Sequence, residues 1–256
     1  MRYEILGSLR IVDRDEVYFI GAPKVEALLA VLLINSNQVV PVERLMMEIW
    51  GTAGPRRAAA TLHVYVSQVR KLLRRAGHAE NPIVTRQPGY LLRTSAGELD
   101  LDDFTRLVGL GRDCIRARRH EDARSAFQSA LSLCRGPAIG DGCGGPIVNR
   151  FRTWLDEARL ECTELLIESE LTLGRHRETV GRLYSLTAEN PFHETFYRQL
   201  MLALYRSERQ ADALRVYHDA QETLRGELGV EPCRGLRDLQ QCILTADNRL
   251  ESLQAG

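Results

Sequence analysis

The chain has 256 residues, 44% of them hydrophobic and 27% charged, the proportions of an ordinary globular protein with room for one large core or two small ones. Its 34 basic and 34 acidic residues cancel, so bulk charge alone indicates no partner. The longest apolar run, 27–34, is well short of the ~18 residues of a membrane span, and MRYEILGSL lacks a signal peptide's apolar core, so a cytoplasmic address with no membrane partner is expected.

Residues 2–6, 9–12 and 17–20 are short β-like runs that predict a small antiparallel sheet. Pro23 suits a first helical turn, and Val25, Leu28, Leu29, Leu32 and Leu33 continue at helical spacing until Asn35 and Asn37. After a strand-like 38–40, Pro41 starts a second helix. Its expected apolar face is Val42, Leu45, Met46, Ile49 and Trp50, and Gly51 closes it. A third helix is predicted over 56–76, where Leu62, Val66, Val69 and Leu73 make a core stripe. Residues 83–86 and 90–92 then flank Gln87-Pro88-Gly89, which fits a tight turn. Three helices followed by a β-hairpin make an α/β winged helix-turn-helix.

Charge is distributed unevenly along this part. Residues 1–95 hold 13 basic and 8 acidic side chains, net +5, which leaves net −5 for the remainder. Between Arg56 and Arg93 there are eight basic residues and one acid, Glu80. Opposite the core stripe, the third helix presents His63, Val64, Ser67, Gln68, Arg70, Lys71, Arg74 and Arg75. A helix fits the major groove of DNA, where Gln68 is placed to address adenine and Val64 a thymine methyl. Arg56, Arg57, Arg70 and Arg74 are expected to clamp phosphates, which positions the protein without specifying sequence. Arg86, with Gln87 beside it at the hairpin, is expected to enter a narrow minor groove.

From Leu101 onward helical periodicity dominates. Ala123-x3-Phe127-x2-Ala130, Thr179-x3-Leu183-x2-Leu186 and Ala213-x3-Tyr217-x2-Ala220 share one frame, and Thr179 to Ala213 is 34 residues, the tetratricopeptide period. An all-α domain of helical repeats is expected, interrupted by a mobile glycine-rich loop at 136–149 and capped by a helix bearing Leu236, Leu239, Ile243, Leu244 and Leu250. The six cysteines form no close pair, which points to reduced, mostly packed thiols with Cys143 the most exposed. The six histidines are scattered, no GxSxG or HExxH occurs, and the glycine-rich stretch lacks a P-loop lysine. Glu157, Glu161, Glu164 and Glu168 are expected on a solvated helix face. No catalytic site, metal or cofactor is therefore expected.

LGSLRIV, GAPKVEALLAVLL, VERLMMEIWG, AATLHVYVSQVRKLLRRAG and IVTRQPGYLL resemble, block by block and in order, the OmpR-type winged helix of the Streptomyces antibiotic regulatory protein family. LRGELGVEP and LSLCRGPAIGD resemble that family's bacterial transcriptional activator domain, although relatives usually carry tryptophan at Cys134. The resemblance divides the chain into a DNA-binding domain, 1–95, and an activator domain, 96–256. It implies that the helix 56–76 enters the major groove, with Thr61, Val64 and Gln68 at base- or phosphate-facing positions and Arg86 in the minor groove. Relatives often have arginine at Gln68, and glutamine lacks the guanidinium that reads guanine. Also implied are double-stranded promoter DNA with direct repeats near the −35 region and a possible homodimer on it. Further implications are contacts with a sigma factor's C-terminal region and the α subunit's C-terminal domain of RNA polymerase, and activation of antibiotic biosynthesis genes. No receiver or sensor module is expected in the remaining residues. The alternative is an interaction adaptor of tetratricopeptide type whose basic domain holds DNA non-specifically.

Overall fold

In the computed structural model, which describes residues 1–78, 80–139 and 144–245, the chain opens with three short strands. β1 (Arg2–Glu4), β2 (Arg10–Asp13) and β3 (Glu16–Phe19) form an antiparallel sheet in that order, with Tyr3 opposite Ile11 and Ile11 opposite Tyr18. Tyr3 and Ile11 are fully buried, whereas Val17 and Phe19 on edge strand β3 face solvent.

α1 (Pro23–Ile34) follows, with proline in its first turn. Every residue from Ala27 to Leu33 is buried, the sign of a helix covered on all sides. β4 (Val40–Pro41) leads into α2 (Val42–Trp50), and α3 (Ala58–Arg75) follows; α1 packs against both helices. The expected stripe Leu62, Val66, Val69 and Leu73 is buried. β5 (Ile83–Arg86) and β6 (Gly89–Leu92) make the hairpin, and β4 joins it to give a second sheet ordered β4-β6-β5. Gly89 is required where β6 crosses β4: a Cβ there would lie 1.8 Å from the Val40 carbonyl oxygen.

Seven helices complete the described chain. They are α4 (Asp100–Arg116), α5 (His120–Ser132), α6 (Pro146–Thr172), α7 (His176–Glu189), α8 (Glu194–Arg206), α9 (Gln210–Leu228) and α10 (Arg234–Leu244). The repeat frame has a structural counterpart at the turns. Arg118, Gly174 and Glu208 each adopt a positive φ, at 57°, 78° and 64°. Each stands five residues before the small residue of the motif, Ala123, Thr179 or Ala213, and all three of these are buried. A left-handed residue ends one helix and lets the chain reverse into the next.

By packing, the chain forms two units, Met1–Gly109 with Ser129–Leu160 and Leu110–Gln128 with Glu161–Gly256. In the second unit α8 packs against α7 and α9, and α10 lies on α8 and α9. In the first, two buried carboxylates tie the winged helix to the residues that follow it in the same unit. Asp100 accepts hydrogen bonds from the backbone N–H groups of Ile5 (2.9 Å) and Leu6 (3.1 Å), and Arg135 adds an ion pair at 3.3 Å. Burial nevertheless raises the Asp100 carboxyl above its ordinary value, against the pull of those donors. Glu48, only 6% exposed, accepts from Gly145 N (2.9 Å), Ile147 N (2.8 Å) and Val148 N (3.0 Å) at the start of α6. A carboxylate suits a helix N-terminus, whose first N–H groups lack partners and whose dipole is positive.

Several expectations change here. The expected loop at 136–149 ends sooner, because α6 begins at Pro146, with its first turn satisfied by Glu48. Its opening is not mobile, since Ile139 is fully buried and donates to Gly7 O at 2.7 Å. Residues 140–143, including Cys143, lie outside the described residues, as does Leu250. Leu244 is 53% exposed and falls off the buried face of α10, which consists of Leu236, Leu239 and Ile243. Leu186 is half-buried, and Thr187 takes the buried place beside it. Two of the four glutamates expected on a solvated face have partners, because α6 meets other helices there: Glu161 pairs with Arg112 at 2.6 Å and Glu164 with His193. Cys114 and Cys162 are packed thiols, but Cys233 is exposed.

Candidate nucleic-acid interface

The helix α3 is held on three sides before it presents anything outward. Its core stripe faces α1, and Tyr65 stacks on Trp50 of α2 at 5.7 Å between ring centres. Lys24 sits 5.8 Å from the Trp50 ring centre. The wing supplies the third contact. Arg70 Nη2 donates to Ile83 O and to Thr85 Oγ1, both at 3.0 Å, and the Tyr90 hydroxyl and His63 Nδ1 form a 2.5 Å hydrogen bond. Burial raises the Tyr90 hydroxyl above its ordinary value, with Arg70 opposing, so it remains protonated and able to donate. These bonds set the angle between α3 and the hairpin.

Val64, Ser67, Gln68, Lys71, Arg74 and Arg75 face outward on α3, all exposed, with Val64 at 54%; Ala59, Ala60 and the wing-bonded His63 are exposed beside them. Arg56 and Arg57 are exposed just ahead of the helix, and Arg86 and Gln87 at the hairpin turn. Thr61 is half-buried, and its Oγ1 donates to Arg57 O at 3.2 Å. Among the described residues, none of Arg56, Arg57, Lys71, Arg74, Arg75 and Arg86 lies within ion-pair distance of a carboxylate; the ion pairs fall elsewhere. Unneutralised guanidinium groups around an amide and an apolar side chain suit a polyanion whose base edges are reached between its phosphates.

The thirteen expected site residues therefore separate into two kinds. Eight of them (Arg56, Arg57, Val64, Ser67, Gln68, Lys71, Arg74 and Arg75) share an exposed surface on or just before α3, and Arg86 and Gln87 share the wing tip. Arg70, His63 and Thr61 have partners within the protein. Sequence reasoning missed Tyr90 and Thr85 as wing anchors, and Glu48 and Asp100 as buried acceptors. An acid inside an otherwise apolar stripe, as Glu48 stands beside Leu45 and Ile49, was the one available signal.

A winged helix with an unneutralised cationic face, followed in the chain by helical hairpins, defines a two-module protein of regulatory architecture. Comparisons with known proteins make this specific. Residues 99–244 match the family described as bacterial transcriptional activator domain, and residues 20–92 match transcriptional regulatory protein, C terminal. Regulatory protein DnrI of Streptomyces peucetius is 37% identical over 253 residues, covering 96% of this chain and 93% of that protein. Regulatory protein AfsR of Streptomyces griseus is also 37% identical over 98% of this chain, which spans only 25% of AfsR. A solved structure, Mycobacterium tuberculosis EmbR in complex with a low affinity phosphopeptide, superposes with a TM-score of 0.93 at 33% identity, covering 99% of this chain and 68% of that one. The chain belongs to the Streptomyces antibiotic regulatory protein family of transcriptional regulators. No helix among the described residues is long and apolar enough to cross a membrane.

Proposed function

We propose that the protein is a sequence-specific, non-enzymatic transcriptional activator that binds double-stranded promoter DNA through α3 and the β5–β6 hairpin. The observation that carries this reading is the cationic face of α3 and the wing, unpaired among the described residues, with Val64 and Gln68 exposed inside it. α3 enters the major groove, Arg86 the adjacent minor groove, and Lys71, Arg74 and Arg75 contact phosphates. Membership of a family of regulators supports recruitment of RNA polymerase. The finer assignments are direct repeats near the −35 region, a homodimer on them, and contacts with a sigma factor's C-terminal region and the α subunit's C-terminal domain. Membership of a family of antibiotic regulatory proteins supports a target among secondary-metabolite genes. A cytoplasmic address is consistent with this role.

A gel shift titrated with salt tests the reading. A promoter fragment from genes adjacent to this one should retain an advantage of ~10³ or more over scrambled DNA. Equal affinity for both, with the steep salt dependence of counterion release, would instead support an adaptor with non-specific DNA affinity.

A further inference from the structure

The second packing unit contains a cavity of about 780 Å³ that DNA binding does not use. Its walls come from the end of α4 and the turn after it, α6, α8 and α10. The volume lies inside the range of small-molecule pockets, roughly 300–1,000 Å³. Ile115, Leu171, Leu202 and Leu239 give it an apolar lining. Four arginines, Arg116, Arg118, Arg198 and Arg206, stand around it against two acids, Glu168 and Asp238. Asp238 is already paired with Arg234 at 3.3 Å, and Arg116 with Asp113. Arg118 and Arg198 are exposed, and neither has a carboxylate within ion-pair distance among the described residues. The charge left over is positive.

A polar feature of the wall points the same way. Gln199 is only 5% exposed, and its Nε2 donates to Glu164 O at 2.9 Å. That bond fixes the orientation of the amide, because the opposite one would set oxygen against oxygen. Gln199 Oε1 then remains buried and without a donor among the described residues. Gln199 is also one of the residues lining the cavity, and buried acceptors are rarely left without a donor, so a small shift of this side chain toward the cavity favours a visitor that brings an N–H or O–H.

We infer that this cavity is a binding site for a small organic anion with an apolar body and a hydrogen-bond donor. Its anionic group meets Arg118 and Arg198, its body lies on Leu171, Leu202 and Leu239, and its donor reaches toward Gln199. The site is separate from the α3 face, so it stands or falls independently of DNA recognition.

8-Anilinonaphthalene-1-sulfonate has this chemistry, with a sulfonate, two aromatic units and an anilino N–H, and its fluorescence reports transfer out of water. Titrated into the full-length native chain, it should saturate at one molecule per chain. N-phenyl-1-naphthylamine, the same body without the sulfonate, should bind at least ~10-fold more weakly, and R118Q/R198Q should weaken the sulfonate probe by a similar factor. Both arginines are exposed and have no ion-pair partner among the described residues, so the variant keeps its fold, verified by an unchanged circular dichroism melt. Q199L is a second probe of the same wall and should weaken binding severalfold. Saturation that ignores the arginine changes, equal binding of the uncharged analogue, or no saturable binding at all would each overturn the proposal.

Discussion

Replacing Glu48 tests whether a single carboxylate holds the start of α6. Glu48 is 6% exposed and accepts three backbone N–H bonds at 2.8–3.0 Å. Hydrogen bonds to a charged acceptor contribute about 1.5–3 kcal/mol each, and the helix dipole adds up to about 2 kcal/mol. Desolvating the carboxylate opposes this by several kcal/mol, so the net gain over an apolar pair is small. Removing only the acceptor is a different matter, since three donors then lose their partner. Glu48→Ala should therefore cost about 3–5 kcal/mol, and Glu48→Gln, whose oxygen keeps part of the set while its NH₂ faces a donor, about 1–2 kcal/mol. Glu43→Gln, exposed on the same helix, should change stability by less than about 0.5 kcal/mol. Urea unfolding gives the free energies, and hydrogen exchange at Gly145, Ile147 and Val148 localises the loss. A Glu48→Gln protein as stable as the Glu43→Gln control, with unaltered exchange at those amides, would refute the reasoning.

Salt dependence separates the arginines by role. Lys71→Ala should reduce the slope of log affinity against log salt by about 1, whereas Arg70→Met, whose guanidinium is already bonded to Ile83 and Thr85, should weaken binding while leaving the slope unchanged. If Arg70→Met lowers the slope as Lys71→Ala does, Arg70 contacts phosphate after all. Arg86→Ala should weaken binding most on A·T-rich minor grooves; uniform loss across sequences would place Arg86 outside the groove. Gly89→Ala forces a methyl against the Val40 carbonyl at 1.8 Å, so a melt should show destabilisation at or above the ~1–3 kcal/mol of ordinary overpacking, and a wild-type melt would be incompatible with the β4–β6 pairing. His78 is bonded to the Tyr3 hydroxyl at 2.6 Å, and burial lowers its proton affinity below the ordinary value of 6.5. The unfolded chain therefore binds that proton more readily. Stability attributable to His78 is present above about pH 6.5 and declines as pH falls through it, and His78→Gln should flatten that decline in urea titrations from about pH 7.5 to 5.5.

The parts of this fold that were legible in the sequence are those where a periodic signal coincides with packing. The α3 stripe of Leu62, Val66, Val69 and Leu73 and the hairpin around Gln87-Pro88 needed only local information. The helical-repeat frame was readable because small residues recur at a fixed distance from the turn. What was not readable depends on residues far apart in the chain. Glu48 meets Gly145 across 97 positions and Asp100 meets Ile5 across 95, and no window of sequence contains both partners. The bonds of Arg70 to the wing are illegible for the same reason: its spacing puts it on the basic arc, but only the fold brings Ile83 and Thr85 to it. Exposed residues such as Gln68 and Val64 were legible as a surface, because a helical arc follows from spacing alone.

The two buried acceptors bear on how the chain can be cut. A fragment stopped at residue 95 would lack Asp100 and the 145–148 amides, leaving the Ile5 and Leu6 N–H groups and the Glu48 carboxylate without their partners. Transplanting the winged helix into another scaffold therefore means carrying the stretch around Arg135 and the first turn of α6 with it. Chimaeras joined at a boundary drawn from helix and strand patterns alone would inherit the recognition surface and lose the framework that keeps it folded.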